Sequence, residues 1–210
     1  MALKNWQKDI QPLIKKYKGK KFPLEYRNTY QLVVMVILAA RDSDANINKI
    51  APDFFRAFPN MKTLAKATEA TMYPLLRSVR GSKNKSKWLM SLAATVKQDK
   101  NIPLTMEELT ALSGIGRKSA NVIMRESGVK AEGIYVDLHV VRVAPRLGIA
   151  TGTDPKNIEK QMMEVVAPKD WGEAGLAISF LGRETCRPTN PKHAECVMKN
   201  VCAYYKSLSV

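Results

Sequence analysis

The order of apolar and polar residues along the chain follows the period of an α-helix. Leu32, Met35, Val36 and Ala39 recur at the i, i+3, i+4 and i+7 positions that place side chains on one buried helix face. Neither a convincing series of alternating strands nor an Asn-Gly or Asp-Gly hairpin dipeptide occurs. The pattern therefore predicts an all-α protein of about ten short helices joined by short polar connections.

Helix starts are marked by capping residues, whose side-chain oxygen accepts a hydrogen bond from the unpaired N–H groups of the first turn. Two starts show Thr or Asp followed three residues later by Glu, the capping-box pattern, and a third shows Asp followed by Pro. These predicted starts are Thr105 with Glu108, Asp170 with Glu173, and Asp154 with Pro155. Residues 18–23 and 130–133, which contain Gly, Lys or Pro, predict breaks between helical regions.

The charge balance indicates a polyanionic partner. The 210 residues include 34 Lys and Arg against 19 Asp and Glu, a formal net charge of +15. Such a charge attracts nucleic acid, whose phosphates supply most non-specific affinity, although a basic protein can also be merely soluble. Residues 15–21 form one basic group, rich in lysine. A second basic group is expected to form a loop that binds phosphate and leads into the start of a helix. That group is Arg80, Lys83, Lys85 and Lys87.

Membrane insertion and export are not expected. The longest uncharged apolar run, residues 32–40, is shorter than the roughly 20 residues that span a bilayer. The first residues lack a charged region followed by an apolar one, so we expect a cytoplasmic protein. The three cysteines, Cys186, Cys196 and Cys202, are too few for a disulfide framework, and their clustering is typical of metal ligands.

Residues 112–120 predict a helix, a tight turn and a second helix. Gly114 and Gly116 permit a positive φ, and they let a phosphate approach the N–H groups at the next helix start. The alternative is a glycine-rich turn that binds nothing. Lys118 lies just inside the second helix, where the dipole disfavours its ammonium form. Partial burial there would free the amine to act as a nucleophile.

Residues 136–143 supply a carboxylate downstream of this lysine. Asp137 can simply cap a helix. Facing Lys118, it could instead orient or deprotonate the attacking group and stabilise a cationic transition state.

The segments LSGIGRKSANV (112–122) and VDLHVVRV (136–143) together resemble the endonuclease III-like helix-hairpin-helix DNA glycosylase superfamily. The resemblance extends over nearly the whole chain, because residues 38–44 and 84–87 fall where this family has DNA-facing elements. It implies a six-helix domain at residues 22–132 and a metal-cluster domain built from residues 1–21 and 133–210. DNA is then expected to lie across the cleft between the domains, with the damaged nucleotide flipped out of the stack.

The resemblance also implies the chemistry. Lys118 matches the catalytic lysine that attacks the sugar C1′ and displaces the base, giving a Schiff base that permits strand cleavage by β-elimination. Asp137 matches the catalytic aspartate, so the chain resembles the bifunctional glycosylase and AP-lyase branch. We expect a monomer that acts on damaged double-stranded DNA, associated with the nucleoid in a prokaryotic cytoplasm. The implied DNA-binding residues are Arg41, Arg80, Ser82, Lys83, Asn84, Lys85, Gly114, Gly116, Arg117, Ser119 and His139.

The spacing Cys186-x6-His193-x2-Cys196-x5-Cys202 matches the four cysteines that hold a 4Fe–4S cluster in this family, except that His193 takes the second position. Imidazole can replace thiolate as an iron ligand, so the resemblance implies a structural 4Fe–4S cluster with Cys3His ligation. A Cys3His zinc site and a metal-free loop remain alternatives. The basic residues of this loop, expected to contact phosphates, are Arg187, Lys192 and Lys199.

Two further parts of the chain depart from the family pattern. Arg41 stands where relatives have a Gln that helps to fill the DNA space left by the flipped base. Arg80, Gly81 and Ser82 replace a segment that usually carries a bulky intercalating side chain. Neutral drift is one explanation. The other is altered lesion choice, with Arg41 filling the gap or bonding the orphan base, so the damaged base is left open.

Three functions are therefore considered. The first is a DNA repair glycosylase with lyase activity. The second is a monofunctional glycosylase for a mismatched or alkylated base, in which Lys118 only contacts phosphate. The third is a non-catalytic DNA-binding module with a structural metal. Lys118 and Asp137 together favour the first over the third, because a binding module needs neither group.

Overall fold

Residues 5–208 are described by the computed structural model. This part of the chain is helical and contains no β-strand, which confirms the predicted all-α class. Its α-helices are α1 (Trp6–Asp9), α2 (Gln11–Tyr17), α3 (Thr29–Leu38), α4 (Asp44–Ala57), α5 (Met61–Leu64), α6 (Glu69–Leu76), α7 (Ser82–Val96), α8 (Met106–Ala111), α9 (Arg117–Glu126), α10 (Leu138–Leu147), α11 (Pro155–Val165), α12 (Trp171–Glu184) and α13 (Ala203–Ser207). Short 3-10 helices lie at Asp99–Asn101, Pro168–Asp170 and His193–Glu195.

These described helices outnumber the ten or so that the pattern predicts, because one-turn helices such as α1 and α5 are too short to show periodicity. Between residues 5 and 208, no helix combines the length and the apolar character that crossing a bilayer requires.

The chain divides into two compact units. One is Lys21–Val129, and the other joins the residues up to Lys20 with those from Lys130 onward. We call them the internal unit and the terminal unit. The first and last elements of the chain thus belong to the same unit, while α3 to α9 form the other.

Helix α3 forms the centre of the internal unit. Every side chain from Leu32 to Leu38 is buried, because α4, α7 and α9 pack against it. The periodic pattern predicted one buried face, whereas the helix is buried all round. Full burial of such aliphatic side chains stabilises a fold by about 1.5–3 kcal/mol each. This core fixes the ends of α3, α7 and α9, where the candidate DNA-contacting residues lie.

Helix α12 occupies the corresponding place in the terminal unit. Its residues from Ala174 to Gly182 are buried, and it packs against α10 and α2. The side chains that reach α12 from α2 include Tyr17, whose ring lies 5.5 Å from that of Phe180. This packing holds the segment that carries Asp137 against the middle of α12.

All three predicted helix starts are found, but only two of the three predicted caps are confirmed. Thr105 accepts from the N–H of Glu108 at 3.3 Å, and Asp154 accepts from the N–H of Asn157 at 2.9 Å. Asp170 is the N-cap residue of α12, but its side chain forms no capping hydrogen bond, so the predicted capping box is wrong. Because it ends the 3-10 turn that runs into α12, its backbone is already helical, and its carboxylate accepts from Gln11 Nε2 at 2.8 Å instead.

Candidate active site

The hairpin between α8 and α9 lies in the internal unit. The turn requires glycine at position 114 for two reasons. Its φ is +82°, and a Cβ there would come within 2.9 Å of Trp88 Cε3. Gly116 does not have the predicted positive φ. It is extended, at φ −95° and ψ 175°, and is the N-cap of α9. No side chain would crowd a Cβ at Gly116, which leaves its backbone open to a ligand.

The first turn of α9 contains the candidate nucleophile. Lys118 is exposed, so the predicted partial burial is not found, and its amine is accessible from solvent. Ser119 is only 8% exposed, so it can offer DNA its backbone N–H more readily than its hydroxyl. Gly116 supplies no side-chain cap. The first N–H groups of a helix have no partner within the helix and point out from its N-terminal end. At the start of α9, Arg117 and Lys118 add positive charge beside these groups.

Asp137 lies in the terminal unit and is buried, with 7% of its surface exposed. It is the N-cap of α10, and its Oδ1 accepts from the N–H groups of His139 and Val140, each at 2.9 Å. Its Oδ2 accepts from Ser179 Oγ at 2.7 Å and from Tyr135 Oη at 3.1 Å. Both readings of Asp137, as a cap and as an oriented carboxylate, are therefore compatible with this geometry.

A cation also lies beside Asp137. Arg183 Nη2 lies 3.8 Å from Asp137 Oδ2. Tyr135, Ser179 and Arg183 were not predicted from the sequence. Ser179 could have been noticed as the one hydroxyl in the apolar stretch 174–181, where a buried polar side chain must find a partner. Nothing in the pattern identified that partner as Asp137.

Close packing of α12 makes these contacts possible. A Cβ at Gly175 would lie 2.2 Å from the carbonyl oxygen of Tyr135, and one at Gly182 would lie 2.9 Å from His139 Cβ. With Ser179 between them, these residues fall at i, i+4 and i+7 and form one small-residue face of the helix. We call it the small face of α12. It lets the segment 135–143 approach closely enough for Ser179 to bond Asp137.

The predicted basic loop at residues 80–87 is mostly helix. Gly81, at φ +69°, is the N-cap of α7, so Ser82, Lys83 and Asn84 form its first turn. Arg80, Lys83 and Asn84 are exposed, and Ser82 is half-buried.

Lys85 differs from its basic neighbours. Its side chain is 3% exposed, and its Nζ donates to the carbonyl of Leu38, at the C-terminal end of α3, at 2.6 Å. Burial lowers the pKa of the Lys85 ammonium. This amine therefore does not face solvent as a phosphate ligand, and we leave it out of the proposed DNA surface.

The four predicted metal ligands all belong to the terminal unit. Cys186, His193, Cys196 and Cys202 line one cavity, together with Leu147, Leu181 and residues of the loop between them. Cys202 is buried and accepts from the N–H of Tyr205 at 3.5 Å. The rings of His193 and Tyr205 lie 5.2 Å apart. Burial raises the pKa of the Cys196 thiol.

Two arginines of α10 hold the loop that begins at Cys186. Arg142 Nη2 donates to the carbonyls of Gly182 and Cys186, at 2.9 and 3.2 Å. Arg146 Nη1 donates to the carbonyl of Arg187 at 2.8 Å and lies 3.6 Å from Cys186 Sγ. Thus α10 carries Asp137 at its start and anchors the cysteine loop along its length.

The chemistry of the donor set is compatible with iron ligation. Within residues 5–208, no three or more His, Cys, Asp or Glu side chains converge closely enough to bind a single metal ion. The four side chains nevertheless line one cavity. Three thiols and an imidazole are also donors that iron accepts. The basic residues of the loop, Arg187, Lys192 and Lys199, are exposed.

Lys118 belongs to the internal unit and Asp137 to the terminal unit. Arg41, like Lys118, is in the internal unit. It is exposed, and it adopts a left-handed backbone, with φ of +57°. His139 is half-buried in the first turn of α10, and its Nδ1 lies 3.3 Å from Arg142 Nη2.

Comparison with known proteins places this geometry in context. The family described as "HhH-GPD superfamily base excision DNA repair protein" matches residues 34–168. Endonuclease III of Synechocystis sp. is 33% identical over 192 residues, which cover 90% of this chain and 88% of that protein. A trapped endonuclease III–DNA covalent intermediate, an estranged-adenine complex, is 27% identical with a TM-score of 0.87, covering 99% of this chain and 100% of that one. A non-covalent endonuclease III–DNA complex, also 27% identical, has a TM-score of 0.85 and covers 95% and 94% of the two chains.

Proposed function

This chain belongs to the HhH-GPD superfamily of base excision DNA repair proteins, and on that premise we propose that it is a DNA glycosylase with AP-lyase activity. Its substrate is duplex DNA that contains a damaged base. The proposal is supported by similarity over most of the chain to endonuclease III, including a form trapped covalently on DNA. We further propose that it acts as a monomer in a prokaryotic cytoplasm, close to the nucleoid.

The observation that carries the lyase assignment is the exposed amine of Lys118 at the start of α9. In the proposed reaction the neutral amine forms a bond to the sugar C1′. The glycosidic bond breaks, and its electron pair leaves with the base, which takes up a proton. Loss of the amine proton and opening of the sugar ring give a C1′ imine. Removal of a C2′ proton then expels the 3′ phosphate and cleaves the strand.

Asp137 is proposed to stabilise the cationic sugar and to accept the amine proton. Its carboxylate is fixed by two backbone N–H groups, Ser179 and Tyr135, so it does not have to reorganise as charge develops. The start of α9, with Gly114, Gly116, Arg117 and Ser119, is proposed to hold the DNA backbone through its N–H groups. The remaining proposed DNA contacts are Arg41, Arg80, Ser82, Lys83, Asn84 and His139.

The decisive experiment combines a panel of duplexes, each with a different damaged base, with borohydride reduction. We expect wild-type protein to be trapped covalently on its substrate. Lys118→Gln should lose trapping and strand cleavage while keeping affinity for undamaged DNA. As a matched control, Lys66→Gln, at another exposed lysine of the internal unit, should be trapped normally. Base excision by Lys118→Gln at the original rate, with cleavage only in alkali, would replace this proposal with the monofunctional one.

The cysteine loop is proposed to hold a structural 4Fe–4S cluster with Cys186, His193, Cys196 and Cys202 as ligands. When bound, such a cluster would stabilise the loop, whose exposed Arg187, Lys192 and Lys199 face solvent as candidate phosphate contacts. Purified protein should be yellow-brown, absorb broadly at about 400 nm and contain about four irons per chain. His193→Cys should keep the iron, and His193→Ala should lose part or all of it. Stoichiometric zinc, or no metal, would refute the cluster.

A further inference from the structure

The corner between α3 and α4 is strained in a way that requires support. Arg41 is not a glycine, yet its φ is +57°, a region that L-residues rarely adopt. Its side chain is exposed, so no packing of that side chain explains the conformation. A strained residue of this kind persists only when its surroundings hold it in place, and such residues cluster at functional sites.

The support comes from the next residue. Asp42 Oδ1 accepts from the N–H of Ser43 at 2.8 Å and from Asn46 Nδ2 at 3.1 Å. Its Oδ2 accepts from the backbone N–H of Arg80 at 2.7 Å. Burial alone would raise the pKa of Asp42, but these hydrogen bonds outweigh it and hold the pKa below its usual value. One carboxylate therefore joins the Arg41 segment to the Arg80 segment, 38 residues away.

A buried amine lies on the interior side of the same corner. The buried amine of Lys85 ends α3 by donating to Leu38, and it is close enough to Asp42 and Arg80 to interact with both charges. Asn46 Nδ2 adds a second link, to the carbonyl of Ser78, at 3.1 Å. The segments that carry Arg41 and Arg80 are thus fixed to each other. Both arginine side chains are exposed, so their positive charges face solvent. We call this pair of residues the arginine pair.

The arginine pair has a distinct recognition chemistry. A guanidinium offers five N–H donors and no acceptor. Guanine presents two adjacent acceptors, O6 and N7, and cytosine presents O2 and N3. Adenine has its amino donor beside both N7 and N1, and thymine has N3–H between its two oxygens. A group that only donates therefore discriminates guanine and cytosine from adenine and thymine.

We propose that the arginine pair, positioned by Asp42, recognises the estranged base, and that it favours guanine or cytosine opposite the lesion. This inference rests on the proposed function, because it requires a flipped nucleotide and an unpaired partner base. Asp42 is a positioning residue in this scheme, since its own acceptors are engaged within the protein.

The test measures binding and not catalysis. Four duplexes carry one tetrahydrofuran abasic analogue, which cannot be processed, opposite G, C, A or T. We expect affinity opposite G, C or both to exceed that opposite A and T by about fivefold or more. The comparison of the G and C duplexes shows which acceptor pair is used. Affinities equal within twofold across all four would mean that the arginines contact phosphate only, and would overturn the inference.

Variants distinguish the hydrogen-bonding geometry of the guanidinium groups from their positive charge. Arg41→Lys and Arg80→Lys keep the positive charge but lose the guanidinium, so they should retain overall affinity and lose the preference. Asp42→Asn should lose the preference too, because its amide N–H2 would face a donor in either orientation, the N–H of Arg80 or that of Ser43. Arg56→Lys, an exposed arginine outside this corner, is the matched control. A preference that survives both lysine variants overturns the inference, even if Asp42→Asn does not fold.

The same duplexes distinguish the two proposals. If abasic duplexes bind no better than undamaged duplex, both the proposed function and this inference fail. If they bind better but without regard to the opposite base, only this inference fails.

Discussion

A single carboxylate can serve both folding and catalysis, and Asp137 is arranged to do so. One oxygen caps α10, while the other accepts from Ser179 and Tyr135 and lies near Arg183. Because the two oxygens have separate partners, changes on one side should disturb chemistry without removing the cap.

Asp137→Asn is expected to slow base removal about a hundredfold or more, because the charge that stabilises a cationic sugar is lost. Affinity for undamaged DNA should be kept or slightly increased, since a negative charge is removed. Single-turnover base release and a DNA titration measure the two effects. Unchanged base release would show that Asp137 is only a helix cap.

Ser179→Ala removes one hydrogen bond to the buried carboxylate and leaves both cap bonds in place. Hydrogen bonds to charged groups contribute about 1.5–3 kcal/mol, so the free energy of unfolding should fall by about that amount at neutral pH. Urea unfolding measures it. Ser207→Ala, an exposed serine in α13, is the control and should change stability by less than about 0.5 kcal/mol. Equal losses in the two variants would exclude a specific role for Ser179.

Lys85 gives a prediction about pH. Burial lowers its pKa in the folded protein, so between that value and about 10.4 the unfolded chain binds more protons. The contribution of Lys85 to stability therefore rises as pH rises through this window. We expect the free energy of unfolding of wild type, relative to Lys85→Met, to increase as the pH rises toward about 10. A difference that stays constant or falls with pH would contradict the burial of this amine.

Residue roles were predictable from the sequence where the signal is local. Asp137 as the cap of α10 and the glycine turn at Gly114 depend on neighbours in the chain, and both are found. Lys85 was grouped with Lys83 because both sit in one basic run. Its burial depends on the carbonyl of Leu38, 47 residues away, and a charge pattern contains no such information.

At the scale of elements, the small face of α12 determines how closely the segment that carries Asp137 packs against this helix. Gly175 is the tightest point, because a Cβ there would meet backbone atoms of Tyr135, which cannot rotate away. At Gly182 the obstacles are side-chain atoms of His139, Val143 and Arg142, at 2.9 to 3.2 Å. Side chains can adjust more easily than backbone.

Gly175→Ala should therefore destabilise the protein by about 1–3 kcal/mol, and more than Gly182→Ala does. It should also slow base release, because α12 can only accept the methyl group by moving Ser179 away from Asp137. Thermal unfolding and single-turnover kinetics on both variants test this order. Greater damage from Gly182→Ala would mean that the approach to Tyr135 is not the limiting contact.

Element predictions from the sequence succeeded where helices are longer than a turn and fully apolar or well capped. Helix α3 was predicted from four residues of one face, but its burial on all sides comes from three neighbouring helices that periodicity does not describe. The cap at Asp170 failed because the preceding 3-10 turn made its backbone helical. The capping pattern requires an extended backbone at the N-cap residue, and the sequence alone does not show whether that backbone is extended.

At the scale of the whole molecule, the net charge of +15 predicts how DNA binding depends on salt. Each phosphate neutralised releases counterions, so the logarithm of the affinity for undamaged duplex should fall linearly with the logarithm of salt concentration. Lys83→Gln, at the exposed start of α7, should reduce the slope by about one. Lys66→Gln should leave the slope unchanged. A flat response in the wild type would argue against phosphate-dominated binding.

The chain order of the terminal unit has a consequence for biosynthesis. Gln11 of α2 bonds Asp170, 159 residues later, and Lys20 pairs with Glu184 of α12. At about 5–20 residues per second, a ribosome makes α12 roughly 8–32 seconds after α2. All of the internal unit is made in that interval and has time to fold. Until α12 emerges, the ring of Tyr17 lacks its partner Phe180, and the side of α2 that packs on α12 is an exposed apolar surface to which a chaperone could bind.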